Sequence, residues 1–174
     1  SRAKAVNFGI IYGQGAFGLA RGLGISRAEA ARFIDEYKER YPGIPQFMET
    51  CVNEAEKNGY VTTMLGRRRP ISEIHSNNRN LRALGERLAI NTVVQGSAAD
   101  MIKQAMINLH ERIAREELDM QLLIQVHDEL VLDAPEEKVE EYSEVVRQEM
   151  ARAIELAVPV KVDVAWGRNW LESK

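Results

Sequence analysis

Only two residues separate the apolar run 121–126 from the run that begins at Glu129, and this spacing constrains the fold more than any other feature. Strands joined by two residues pair antiparallel, because a parallel crossover needs a dozen or more. The connecting pair, His127-Asp128, suits such a turn poorly, since Asn-Gly or Asp-Gly meets the positive φ angles far more easily. Glu129 sets a second carboxylate beside Asp128, and neighbouring carboxylates repel unless a cation accompanies them. A divalent metal is one explanation of this tip and a solvated polar turn is the other.

Around the hairpin the chain is patterned for helices. The expected class is therefore α+β, with helices first and then a small antiparallel sheet under helical cover. Residues 2–12 read as helix, and Gly13 to Gly24 as turns and short helices. Ser26-Arg27-Ala28-Glu29 is a capping box opening a helix with Phe33, Ile34, Tyr37 and Tyr41, which Pro42 and Pro45 break. Helix resumes over 46–58 and stops at Asn58-Gly59. Residues 60–65 read as a strand closed by the basic run 66–70, and 80–117 as helix with a break near Gly96. Pro135 starts a helix reaching 157, and 160–164 reads as a last strand.

At 174 residues, 45% hydrophobic and 28% charged, the chain has the length and composition of one globular domain with a substantial core. No apolar run approaches the roughly 20 residues of a membrane span, so no membrane partner is expected. Ser1-Arg2-Ala3-Lys4 does not resemble a secretory leader. The single Cys51 excludes a disulfide framework and suits a reducing, cytoplasmic compartment. The net charge of −3 hides an asymmetry, with +5 on residues 1–90 and −8 on 91–174. The first half suits a polyanion and the second suits metal ions.

Two rows at four-residue spacing stand out. Lys4, Phe8 and Tyr12 share one helix face, fit either to grip a triphosphate and stack on a base or simply to pack with a snorkelling lysine. Arg87, Asn91 and Gln95 form a wholly hydrogen-bonding row that can reach acceptors in a DNA minor groove, or else face solvent. Arg67, Arg68, Arg69, Arg79 and Arg82 add phosphate-neutralising charge upstream. Gly13 to Gly18 also matches G-x-G-x-x-G with Asp35 about 20 residues on, but a dinucleotide site needs a βαβ unit that the helical segment 26–58 does not offer. A His-Asp phosphohydrolase site needs helices and further histidines, and only His75 and His110 remain.

Four motifs then occur in order: 4–13 as K-A-V-N-F-G-I-I-Y-G, 86–100 with E-R, A-I-N and Q-G-S-A-A-D, 125–129 as Q-V-H-D-E, and 167–170 as G-R-N-W. Together they resemble the C-terminal part of the family A DNA polymerases of the bacterial type. The resemblance implies helical fingers over 1–60. Over 61–174 it implies the C-terminal part of the palm, with part of its antiparallel sheet and covering helices. It implies that Lys4 binds the incoming triphosphate and protonates the leaving group, that Phe8 lies near the sugar, and that Tyr12 guards the templating position. Arg87, Asn91 and Gln95 would track the primer–template duplex and His127 the primer end. Asp128 would be one of two carboxylates holding paired Mg²⁺, with Glu129 in a lesser role. Primer–template DNA and deoxynucleoside triphosphates are the implied partners, DNA replication and repair the implied processes, and the cytoplasm beside the nucleoid the implied location.

The family's first motif, D-Y-S-x-I-E-L-R, has no counterpart here, and Ser1 falls where the family's fingers helix is already under way. The resemblance therefore implies a fragment lacking its N-terminal part, inactive by itself, whose exposed palm strand edges invite self-association. A non-catalytic DNA-binding module of the same fold would need neither Lys4 nor Asp128.

Overall fold

The structure is a computed structural model describing the backbone of residues 2–173 and the side chains of 6–173. Its elements are α1 (Arg2–Ile11), α2 (Ala16–Leu23), α3 (Arg27–Arg40), α4 (Gly43–Asn58), β1 (Tyr60–Thr62), β2 (Arg68–Pro70), α5 (Arg79–Glu116), β3 (Gln121–Val126), β4 (Glu129–Asp133) and α6 (Val139–Ala151). Short 3₁₀ turns cover Ser72–His75 and Glu136–Lys138. The α+β class holds, although the sheet is two separate antiparallel pairs, β1–β2 and β3–β4. Two compact units divide the chain, Ser1–Ser97 and Ala98–Lys174, with the division falling inside α5.

In the first unit, Leu19, Ala20 and Ala30 make an apolar seam between α2 and α3. The capping box forms as expected: Glu29 N donates to Ser26 Oγ, and Ser26 N donates to the Glu29 carboxylate at 3.0 Å. These bonds hold the Glu29 carboxyl below its ordinary range, the Ser26 hydroxyl being the largest cause. Pro45 does not break a helix. It lies in the first turn of α4, where its missing N–H would have had no partner. The expected strand 60–65 is shorter, because Thr63 N donates to Arg67 O and Gly66 takes φ +81 to make the turn. The basic run is thus itself a strand, with Val61 facing Arg69 across the ladder.

A second core of Ala55, Val61, Ile71, Ile74 and Ala89 packs the hairpin, the first 3₁₀ turn and α4 on α5. The helix has no break at Gly96. Glycine there admits the Thr63 methyl, which a Cβ would approach to 2.6 Å, and the Gly96 carbonyl accepts from Arg67 Nη2 at 2.9 Å. Gly85, three turns earlier, admits the backbone of Glu73 and Ile74 in the same way. Small residues at 85, 89, 92 and 96 therefore line one face of α5 against the 3₁₀ turn and the hairpin.

In the second unit Leu109, Met120, Tyr142, Val145 and Val146 form the core, with Leu130 and Leu132 of β4 packed on it. The helix expected to reach 157 ends at Ala151, in a tightened turn where Ala153 N donates to Met150 O. Its apolar anchoring ends at Met150, and Pro159 then forces extended chain. Residues 160–164 are not a strand. Val160, Val162 and Val164 stay half-buried and Lys161 and Asp163 exposed, but no described strand offers that segment a ladder.

Candidate functional site

Helix α1 displays the first candidate row. Phe8 and Tyr12, one turn apart, stack with ring centroids 5.8 Å apart and planes 21° from parallel. Phe8 is 46% exposed and Tyr12 half-buried, so a stacked aromatic surface is open to a ligand. Lys4 belongs to α1, but its side chain lies outside the described residues.

The turn after α1 passes through Gly13, whose φ of +74 suits glycine and where a Cβ would come within 3.3 Å of Arg87 Cγ. The corner of α1 thereby meets the second candidate row. Gln14 explains two more glycines of the segment 9–18, G-x-x-x-G-Q-G-x-x-G: a Cβ at Gly9 or Gly18 would fall within 2.3 or 2.8 Å of the Gln14 side chain. The glycines make room for a glutamine, and helix α1 precedes them where a dinucleotide site needs a strand, so that alternative falls.

Arg87, Asn91 and Gln95 lie on one face of uninterrupted α5. Arg87 and Gln95 are exposed, Asn91 is half-buried, and Asn91 Oδ1 is buried with no hydrogen-bond partner among the described residues. Four of the five upstream arginines have internal duties. Arg67 holds Gly96, Arg69 Nη1 donates to Thr92 Oγ1 at 3.1 Å, Arg68 lies 4.8 Å over the Tyr60 ring, and Arg82 pairs with Glu56 at 2.6 Å. Their charge is real, but it first pins the β1–β2 hairpin and α4 to α5.

In the second unit the β3–β4 hairpin closes at the pair Val126–Glu129. Leu123 is an extra residue that bulges between the pairs Leu122–Leu132 and Ile124–Val131. His127 takes the left-handed conformation, φ +54, that the two-residue spacing foreshadowed. That conformation costs a non-glycine residue about 1–2 kcal/mol, although histidine tolerates it better than most. His127, Asp128 and Glu129 are exposed, and neither carboxylate has a hydrogen bond or ion pair among the described residues. The position on a hairpin rules out the helical His-Asp phosphohydrolase site.

Among the described residues no group of three or more His, Cys, Asp or Glu side chains gathers to hold a metal unaided. Two unpaired carboxylates still fit Mg²⁺, which is usually held by one or two carboxylates together with substrate phosphates and water. No helix of the described residues is long and apolar enough to cross a membrane.

The sequence profile of DNA polymerase family A matches residues 1–172, and the chain belongs to that family. It is 52% identical over 173 residues to DNA polymerase I of Bacillus caldotenax, and 49% identical over 173 residues to that of Bacillus subtilis strain 168. Each alignment covers 99% of this chain and only 20% of the relative. Among solved structures, the POL domain of Pol1 from M. smegmatis, in complex with DNA primer-template and dNTP, superimposes with a TM-score of 0.94 at 42% identity. That match covers 99% of this chain and 30% of the other.

Sequence reasoning missed the roles of Gly85, Gly96 and Gln14. The three-turn spacing of Gly85 and Gly96 was a readable signal for the first two. The closing motif has a local purpose too. Asn169 Oδ1 accepts from Leu171 N and Glu172 N, and Asn169 Nδ2 donates to Glu172 Oε1 at 2.7 Å, so it builds its own turn.

Proposed function

We propose that this chain is the fingers and C-terminal palm segment of a template-directed DNA polymerase that adds deoxynucleotides to a primer 3′ end in the cytoplasm, beside the nucleoid, for replication and repair. One observation carries the reading within this family: Asp128 and Glu129 stand without a partner among the described residues at the tip of a hairpin whose His127 is held at φ +54. Such a tip is costly to a fold and useful to a hard cation.

Asp128 would hold Mg²⁺ together with an aspartate from the N-terminal part of the polymerase, and Glu129 would stand beside it. Bound there, the metal ions supply charge neutralisation and a template for in-line phosphoryl transfer. The chain's own residues do the positioning. Lys4 binds the triphosphate and gives a proton to the departing pyrophosphate, Phe8 packs at the sugar of the incoming nucleotide, and Tyr12 covers the templating position. Arg87, Asn91 and Gln95 donate to minor-groove acceptors, and His127 contacts the primer end.

The test is single-nucleotide extension by the full-length polymerase carrying this segment. Asp128→Asn should lower kcat at least about 100-fold with DNA affinity nearly unchanged, and Glu129→Gln should lower it less. A kcat for Asp128→Asn within threefold of the unsubstituted enzyme would overturn the proposal.

A further inference from the structure

We infer that Gln125 is a positioning residue whose side-chain amide locks the His127 peptide and so aims the Asp128 carboxylate. The inference rests on the reading of Asp128 as the metal-holding group. Gln125 Nε2 donates to the His127 carbonyl oxygen at 2.6 Å, reaching along its own strand over the turn. That oxygen belongs to the peptide plane joining His127 to Asp128. Fixing it fixes the rotation of the plane and hence the direction of the Asp128 Cα–Cβ bond.

Two further observations show why a lock is needed. His127 is one of only two non-glycine residues described at positive φ, the other being Glu117 just past the end of α5, where left-handed residues are common. The Asp128 carboxylate is tethered by no hydrogen bond or ion pair among the described residues. Without the Gln125 bond the last fixed point is the ladder pair Val126–Glu129, below the turn. Gln125 is itself exposed, so core packing does not account for it, and ordering an exposed glutamine costs side-chain entropy that the bond must outweigh. Groups that orient a metal-ligating side chain typically matter by 10–100-fold in metal affinity or activity.

Gln125→Met keeps length and removes the donor. In the full-length polymerase without metal, hydrogen exchange of the hairpin peptide 121–133 should rise about tenfold while Tm stays within 2 °C, since only the local lock is lost. In turnover, kcat should fall about tenfold or more and the Mg²⁺ concentration for half-maximal rate should rise about tenfold, with KM for the nucleotide and Kd for DNA within twofold. Unchanged exchange and kcat within threefold would overturn the inference. So would a loss of kcat accompanied by a lower Tm and an unmoved Mg²⁺ dependence, which is what a merely structural glutamine gives. Asp128→Asn run in parallel separates the two claims: full activity there defeats the reading of Asp128, whereas an inactive Asp128→Asn beside a fully active Gln125→Met defeats only the role of Gln125.

Discussion

Replacing Gly85 by alanine puts opposing effects on one methyl group. Alanine is favoured over glycine within a helix by about 0.5–1 kcal/mol, because glycine loses more backbone freedom on folding. At Gly85, however, a Cβ would lie 2.7 Å from Ile74 N, 2.9 Å from Glu73 C and 3.0 Å from Ile74 Cα. All three are backbone atoms of the 3₁₀ turn Ser72–His75, so no side chain can swing clear, and Ile74 is buried in the core that would have to part. Forcing a methyl into packed structure costs about 1–3 kcal/mol, which exceeds the helix gain. Gly85→Ala should therefore be net destabilising by about 1–2 kcal/mol, or roughly 2–8 °C in Tm for a chain of this size. Gly22, in α2, is the control, because nothing lies within 4 Å of its Cβ position and the helix gain acts alone. Urea unfolding followed by helical circular dichroism, with the slope checked for constancy, measures both. Gly85→Ala at or above the stability of the unsubstituted chain would refute the close-approach argument.

Other outcomes follow from single features. Gly96→Ala should likewise destabilise, since the Thr63 methyl stands 2.6 Å from the new Cβ and Thr63 Oγ1 is held by Arg67 N; a denaturation midpoint above that of the unsubstituted chain counts against it. Ser26→Ala should cost about 0.5–2 kcal/mol in the same assay by removing the α3 cap. Because the folded Glu29 pKa is lowered, the capping contribution is present above the unfolded carboxyl pKa and fades as pH falls through the folded value; an equal Ser26→Ala penalty at pH 7 and pH 3 would contradict this. Cys51, buried and with its thiol pushed up to about 11, first by burial and then by Glu54, should resist alkylation at pH 8 until the chain unfolds, as mass spectrometry can read. The 174-residue chain alone should not extend a primer, and extension abolished by Asp128→Ala would show otherwise.

The local chemistry was legible where a residue's role depends on its near neighbours. The Ser26 cap, the His127-Asp128 turn with its positive φ, and the α5 row at four-residue spacing all follow from sequence separations of eight or less. Contacts with distant partners were not legible. Gly96 looked like a helix break because its partners, Thr63 and Arg67, stand about 30 residues upstream, and the attachments of the basic run to Thr92 and Gly96 are likewise tertiary. Residues 160–164 keep the alternation of a strand, but a strand also needs a neighbour's backbone, which alternation cannot reveal. Of the candidate site, the residues were readable from motif resemblance, whereas the Gln125 bond, the glycine notch around Gln14 and the orphaned Asn91 Oδ1 needed coordinates.

The most direct test is the distance between Asp128 and the metal in a crystal of the full-length polymerase with primer–template, Mg²⁺ and an incoming nucleotide. An Asp128 carboxylate oxygen should lie about 2.0–2.1 Å from a Mg²⁺ that also binds the triphosphate. A bound nucleotide and metal with Asp128 turned to solvent, more than about 4 Å from any ion and so outside coordination range, would contradict the account.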